Sequence, residues 1–177
     1  DKGEKISKSK GNGITIEDWL KYASPQSLSL YMYQNPKRAK KLYSEVVPKA
    51  VDEYINYIDI YGSQSDLQKI SNPVWHVHNG KPPAEKVIMP FSMLLNLVGA
   101  SNSSSKDLLW KFVKKYKKNI NENEHPIFDK LIEYAINYFN DVVKIKKKYK
   151  KPNDVEKNVL NILAKKISHC NETMSPE

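Results

Sequence analysis

Three features of this sequence predict an all-α fold. Apolar residues recur at spacings of three and four along most of the chain, which is the period of an amphipathic helix. Prolines and small polar residues stand where these stretches begin, as they do at helix N-termini. There are about six or seven such stretches with short connections, which predicts a helical bundle. The chain has 177 residues, 40% of them hydrophobic, enough for one compact domain with or without a tail.

Two short helices are predicted first, from their caps. Thr15 can cap the first helix, with Asp18 at its third position. Ser24 and Pro25 form a cap and a first helical residue for the second helix, which is expected to end near Asn35.

A long apolar stripe follows, from Pro36 to Gly62. Its spacing predicts a single helix over this range. Pro48 lies inside the stripe, and an interior proline removes a backbone hydrogen bond and clashes with the preceding turn. The sequence therefore predicts a helix with a kink at Pro48.

Residues 63–89 are polar and rich in proline, which predicts a loop. A short helix is expected inside it at Asp66–Ile70. The stretch 74–78 alternates between apolar and polar residues, so an extended conformation is open there.

Three longer helices and a last one are predicted after this loop. Pro90 begins an apolar helix that is expected at the centre of the core. Residues 108–116 form the apolar face of the next helix, and Pro126 begins the third. Asn153 and Glu156 are spaced as a capping box for the last helix.

The chain carries a net charge of +9, which favours a polyanionic partner such as nucleic acid. Arg38 is the only arginine, so the charge does not identify that partner. Lysines surround Tyr116 and Tyr149 in two clusters, an arrangement that can follow a phosphate backbone and stack on bases. The alternative is a solvated face with lysines favoured by helix dipoles. The clusters contain Lys111, Lys114, Lys115, Lys117 and Lys118, and Lys144, Lys146, Lys147, Lys148, Lys150 and Lys151.

Other reactive residues form no convincing site. Cys170 is the only cysteine, which excludes an internal disulfide and favours a reducing, cytoplasmic setting. His76 and His78 would share a face only in a strand, and packing beside Trp75 is the favoured interpretation over a metal site. No apolar run reaches about 18 residues, so no membrane contact is predicted. Three carboxylates are predicted to be solubilising charge: Asp129, Glu133 and Asp141.

The most distinctive motif lies near the start, where residues 5–13 read Lys-Ile-Ser-Lys-Ser-Lys-Gly-Asn-Gly. Glycines allow close backbone approach, lysines supply compact positive charge and hydroxyls supply donors, a combination suited to a polyphosphate. It is not a Walker loop, because Ser7 precedes Lys8 where that motif needs glycine. A disordered basic segment is the alternative.

The motif resembles the KMSKS signature of class I aminoacyl-tRNA synthetases, with Ile6 in place of the usual methionine. This near-isosteric change is expected to be tolerated. Over roughly residues 4 to 165 the chain resembles the class I lysyl-tRNA synthetases in particular. The likeness rests on segments 11–16, 19–20, 22–25, 30–32, 35–43, 48–54, 72–80, 89–91 and 95–98.

This resemblance implies an enzyme that activates L-lysine with ATP, with Mg²⁺ expected, and loads it onto tRNA(Lys). Lys8 would stabilise charge on the leaving pyrophosphate, while Lys5, Ser7 and Ser9 would hold the loop and the phosphates. It also implies a KMSKS-like loop at 1–14, a helical connector at 15–62, part of an anticodon-binding region at 63–170 and a flexible tail at 171–177.

The same resemblance places the nucleotide-binding Rossmann half and the lysine pocket outside this chain. The chain is therefore expected to be the C-terminal part of a longer enzyme, and to be inactive in adenylation by itself. The alternative hypothesis is a non-catalytic helical RNA-binding module with a degenerate phosphate loop.

Overall fold

The computed structural model describes four ranges of the chain: residues 13–40, 42–117, 120–146 and 150–172. Within these ranges the regular structure is helical and contains no strand, so the all-α prediction is confirmed. Contacts divide the chain into an N-terminal unit, Asp1–Ile145, and a C-terminal unit, Lys146–Glu177. None of the described helices is long and apolar enough to cross a membrane.

The helices follow one another with short connections. They are α1 (Ile16–Tyr22), α2 (Pro25–Tyr33), α3 (Val46–Tyr61), α4 (Asp66–Ser71), α5 (Pro73–Val77), α6 (Phe91–Ser101), α7 (Lys106–Tyr116), α8 (Pro126–Tyr138), α9 (Lys144–Lys146) and α10 (Asp154–Glu172). A π-helical turn, Phe139–Val143, joins α8 to α9. The short helix expected inside the polar loop is confirmed as α4.

Local capping explains why the first two helices begin where the sequence predicts. The Thr15 hydroxyl accepts from the backbone N–H of Asp18 at 3.1 Å, and the Asp18 carboxylate accepts from the backbone N–H of Thr15 at 3.3 Å. The Ser24 hydroxyl accepts from the backbone N–H of Ser27 at 3.2 Å, and Pro25 is the first residue of α2. Each cap satisfies a donor that has no partner within its own helix.

The third helix corrects a prediction. It begins at Val46 rather than Pro36, because Asn35 adopts a left-handed conformation with φ of 52° and the chain turns there. Pro48 consequently lies in the first turn, where its missing N–H has no intrahelical role. The predicted single helix kinked at Pro48 is therefore wrong.

Tertiary contacts hold the segment before α3 in its non-helical form. The backbone carbonyl of Leu42 accepts from the N–H of Ile14 at 3.0 Å. The carbonyl of Ser44 accepts from the Tyr138 hydroxyl at 3.1 Å. The Leu42 carbonyl, which would accept from the N–H of Val46 in a helix begun at Pro36, thus accepts from the distant Ile14 instead.

Residues 73–77 form α5, so the open possibility of an extended stretch is excluded there. Asn72 begins this helix, since its side-chain oxygen accepts from the N–H of Val74 at 3.0 Å. Its amide group donates to the carbonyl of Tyr57 at 3.1 Å and to the side chain of Gln64 at 2.9 Å. One buried asparagine therefore connects α5 to the end of α3.

The core of the N-terminal unit lies where α6 and α8 pack together, with α1, α3 and α7 around them. The prediction that α6 is central holds for one face only, because Met93 is 55% exposed. Asp52 of α3 caps α6 by accepting from the backbone N–H groups of Phe91 and Ser92, at 2.5 and 3.2 Å. The largest fully buried side chains are Trp19, Trp110, Phe91, Phe128, Leu30, Leu94, Leu109 and Ile132.

The C-terminal unit contains α10. Its predicted capping box is confirmed. The Asn153 side-chain oxygen accepts from the backbone N–H of Glu156 at 2.8 Å, and the Glu156 carboxylate accepts from the backbone N–H of Asn153 at 2.8 Å. The helix extends to Glu172, past the predicted start of a tail at residue 171.

Candidate nucleic-acid interface

The four residues predicted to contact ATP lie outside the described part of the chain. They are Lys5, Ser7, Lys8 and Ser9. The described chain begins at Gly13, beyond residues 10–12. Their roles therefore remain predictions. The motif is attached to the helical bundle that begins with α1.

The attachment point is held by both backbone and side chains. Ile14 donates its N–H to the carbonyl of Leu42 at 3.0 Å. Trp19 is fully buried, its indole N–H is 3.4 Å from the hydroxyl oxygen of Ser27, and its ring stacks on Tyr31 with centroids 5.6 Å apart. The chain therefore enters the helical bundle at a fixed position directly after the motif.

The other end of α1 is fixed to the last turns of α8. The Tyr22 hydroxyl donates to the Asp141 carboxylate at 3.2 Å, and the Tyr22 ring meets that of Tyr138 edge-on. Burial, followed by the nearby negative charge of Asp141, raises the pKa of Tyr22 to about 12. Asp141 is exposed, as expected of a solubilising charge, and it also accepts this structural hydrogen bond.

Asp129 is likewise structural, contrary to its predicted role. It accepts from the ammonium group of Lys106 at 2.5 Å and from the indole N–H of Trp110 at 3.0 Å. Burial acts to raise the pKa of Asp129, but these two hydrogen bonds outweigh it and the net pKa is lowered. Glu133 makes the more exposed of the two ion pairs, with Lys130 at 2.8 Å.

His76 and His78 point to different partners, because they lie on and directly after a helix rather than in a strand. His76 packs edge-on against Trp75, as predicted, and stacks on Tyr33. The ring nitrogen Nε2 of His78 lies 2.8 Å from the Tyr54 hydroxyl. Burial lowers the pKa of His78, which favours a neutral ring that accepts this hydrogen bond. Among the described residues, no group of three or more His, Cys, Asp or Glu could hold a metal ion.

The end of α7 presents positive charge around one exposed aromatic ring. Leu109 and Val113 are buried, so the lysines of this helix lie on its solvent side. Tyr116 is 81% exposed. Lys114 pairs with Glu122 at 2.8 Å. The exposed lysines are Lys111, Lys114, Lys115 and Lys117, and Lys118 lies outside the described residues.

An apolar cleft of about 510 Å³ adjoins this basic helix end. Met89, Met93 and Leu97 form its wall, and Tyr116 and Lys117 form its rim. An exposed aromatic ring beside unpaired ammonium groups can stack on a base while the lysines contact phosphates. The apolar character of α6 predicts that Met93 is buried, but its helical phase relative to the buried Phe91 and Leu94 puts it at the edge of the core.

The second lysine cluster is only partly described. Lys144 and Lys146 are exposed, and Lys150 lies 3.8 Å from Glu156. Lys147, Lys148 and the central Tyr149 lie outside the described residues. The structure therefore supports an aromatic and basic surface at α7 and leaves the corresponding prediction at residues 144–151 as it was.

Comparison with known proteins decides the family. A family model described as tRNA synthetases class I (K) matches residues 1–81. A lysine–tRNA ligase of Roseobacter denitrificans is 48% identical over 91% of this chain, and one of Rickettsia peacockii is 47% identical over 94%. The chain belongs to the class I lysyl-tRNA synthetase family. A lysine–tRNA ligase of Rickettsia bellii extends the similarity to 99% of the chain at 44% identity.

This lysyl-tRNA synthetase chain covers 31%, 32% and 34% of the three relatives. It therefore spans about a third of the length of the curated relatives it matches. No solved structure matches it significantly.

Proposed function

We propose that this chain acts within a lysine–tRNA ligase, which joins L-lysine to tRNA(Lys). The reaction passes through lysyl-adenylate, and ATP is converted to AMP and pyrophosphate. The observation that carries this proposal is the 44–48% identity to lysine–tRNA ligases along nearly the whole chain. L-Lysine itself would be bound by parts of the enzyme outside this chain.

The KMSKS-like loop, residues 1–14, would act on the ATP phosphates. Lys8 would stabilise the charge that develops on the leaving pyrophosphate, and Lys5, Ser7 and Ser9 would hold the phosphates, together with Mg²⁺. Such stabilisation is strongest when the charged group is placed by closure of a loop over the substrate. The fixed attachment of Ile14 supports this role, since a closing loop needs a firm base.

The helical part would bind tRNA(Lys), with residues 15–62 as a connector and 63–170 as part of the anticodon-binding region. Two observations support tRNA binding. The net charge of +9 favours a polyanion, and α7 ends in exposed lysines around Tyr116.

A binding experiment tests this role directly. The 177-residue chain is titrated with tRNA(Lys), with tRNA(Glu) and with a tRNA(Lys) anticodon variant, at two salt concentrations. Preference for tRNA(Lys) that disappears with the anticodon change is the expected result. Equal binding that weakens steeply as salt rises would mean that only the lysine-rich surface is involved, and would contradict specific recognition.

The second candidate is a non-catalytic RNA-binding module with a degenerate phosphate loop, which the basic end of α7 favours because RNA contact there needs no catalysis. ATP–pyrophosphate exchange separates the two functions. Exchange by the full-length protein that depends on Lys8 supports the ligase, whereas a full-length protein that binds RNA but shows no exchange supports the module. The chain alone is expected to show no exchange.

A further inference from the structure

A second pocket in the N-terminal unit shares no lining residue with the cleft beside α7. Its volume is about 380 Å³, within the range of small-molecule sites. It lies between the start of α2, the middle of α3, the loop after α5 and the start of α8. Val51, Ile127 and Leu131 give it an apolar wall.

Three polar side chains that line this pocket have no hydrogen-bond or ion-pair partner among the described residues. They are the amide group of Gln26, the ammonium group of Lys81 and the hydroxyl group of Tyr134. Polar groups that converge on an apolar pocket without internal partners are suited to a ligand with acceptor atoms.

The aromatic side of the pocket is rigid and neutral. Tyr54 and His78 both line it, their rings stack with centroids 5.9 Å apart, and their polar ends are joined by the 2.8 Å contact. Because the Tyr54 hydroxyl and the His78 ring nitrogen bond to each other, these residues present their uncharged ring faces to the pocket. A flat, apolar-faced group fits such a wall.

The positive charge in the pocket is concentrated in one unpaired cation. Lys130 lies 2.8 Å from the Glu133 carboxylate and 5.4 Å from the centroid of the Tyr134 ring, so its charge is already engaged. Lys81 is exposed and unpaired among the described residues. A single unpaired ammonium group matches one phosphodiester charge better than a di- or triphosphate.

The start of α8 adds no anion site. The Glu85 carboxylate accepts from the N–H groups of Ile127 and Phe128, at 2.8 and 2.9 Å, and so uses the donors that an anion would need. An anionic ligand group in this pocket therefore depends on Lys81.

We propose that this pocket holds one unpaired nucleotide of an RNA bound to the chain. The base lies against the wall formed by Ile127, Leu131 and the aromatic rings, Gln26 and the Tyr134 hydroxyl donate to its acceptors, and Lys81 contacts its phosphate. RNA is recognised most specifically at such unstacked nucleotides. The assignment rests on the proposed RNA-binding function and adds the place at which one nucleotide is read.

Lys86 supplies a matched control for the test. It lies on the same loop as Lys81, is exposed, does not line the pocket and has no partner among the described residues. Lys81→Ala and Lys86→Ala each remove one positive charge. If the lysines act only through general attraction to RNA, both variants should lose the same affinity for RNA. If Lys81 contacts a nucleotide in the pocket, Lys81→Ala should lose more affinity than Lys86→Ala.

Affinity for a labelled tRNA(Lys) transcript is measured by fluorescence anisotropy at two salt concentrations. Lys81→Ala is expected to weaken binding about five- to tenfold, and Lys86→Ala less than about twofold, as fits loss of one charge-assisted contact. Gln26→Leu, which keeps the volume and removes the donors, is expected to weaken binding about threefold. Thermal unfolding of each variant verifies that the fold is retained.

NMR signals of the His78 ring locate the effect. They are expected to shift on adding the transcript to the unmodified chain and to Lys86→Ala, and to shift less with Lys81→Ala.

Tight binding of RNA with equal losses of affinity in the two lysine variants would overturn the pocket assignment alone. Absence of RNA binding by the chain would overturn both this assignment and the proposed RNA-binding role. Saturable shifts with free AMP or UMP, combined with equal losses for RNA, would overturn the RNA assignment in favour of a small-nucleotide site.

Discussion

Removing the Asn72 side chain should destabilise the N-terminal unit more than its small size suggests. Asn72 is 3% exposed and makes three hydrogen bonds, to Val74, Tyr57 and Gln64. Loss of a helix cap costs about 0.5–2 kcal/mol. Each neutral hydrogen bond of its amide contributes about 0.5–1.5 kcal/mol. The sum of the cap and the two amide hydrogen bonds predicts that Asn72→Ala lowers the free energy of unfolding by about 1.5–5 kcal/mol.

Urea and thermal unfolding, followed by circular dichroism at a helix-sensitive wavelength, measure this loss. For a domain of this size, about 1 kcal/mol lowers the melting temperature by roughly 2–4 °C, so a decrease of roughly 3–20 °C is expected. Ser71→Ala is the matched control, because Ser71 is exposed and its hydroxyl bonds only to the carbonyl of Leu67. That variant should change stability by less than about 0.5 kcal/mol.

Asn72→Asp tests the same reasoning through the pH dependence of stability. An aspartate retains an acceptor for the N–H of Val74 but places a charge against the oxygens of Tyr57 and Gln64. Its folded-state pKa should therefore be raised, so stability should be highest at low pH and be lost as pH rises through that pKa. A loss below about 1 kcal/mol for Asn72→Ala, or no pH dependence for Asn72→Asp, would refute the buried-network argument.

Three further predictions concern activity, pH and RNA contact. In the full-length ligase, Lys8→Ala should lower the adenylation kcat about a hundredfold or more, and an unchanged kcat would remove Lys8 from the mechanism. The pKa of Asp129 is lowered below 3.8, so the stability that its ionised carboxylate contributes is complete at neutral pH and is lost as pH falls below that value. This contribution is under about 1 kcal/mol, because the side chain is 33% exposed. Asp129→Asn should abolish this part of the pH dependence of stability. Tyr116→Ala should weaken single-stranded RNA binding about fivefold or more through lost stacking, while Tyr116→Phe should retain it, and equal losses would exclude stacking.

Short-range signals predicted much of the fold. Thr15 and Asp18, like Asn153 and Glu156, cap their helices as their three-residue spacing indicates. These interactions join neighbours in sequence, so no knowledge of the distant chain is needed to foresee them. The short helix predicted at Asp66–Ile70 also forms, as Asp66–Ser71.

Long-range contacts account for the predictions that were wrong or incomplete. The apolar stripe from Pro36 is continuous in sequence, yet Ile14 and Tyr138 hold its first part out of the helix. The roles of Asp129 and Asp141 depend on Trp110 and Tyr22, which the sequence places far from them. Periodicity cannot indicate such partners, because it reports only which face of a helix is apolar.

The sequence by itself determined the family, the helical class, the boundaries set by caps and the phosphate-type motif at residues 5–9, all of which are carried by adjacent residues. Only the tertiary structure decided which polar groups find partners. The Asn72 side chain makes three internal hydrogen bonds, whereas Lys81 and Gln26 have no partner among the described residues and lie beside an apolar wall. The physical reason is that hydrogen bonding and burial depend on distances between residues far apart in the chain, and those distances exist only after the helices have packed.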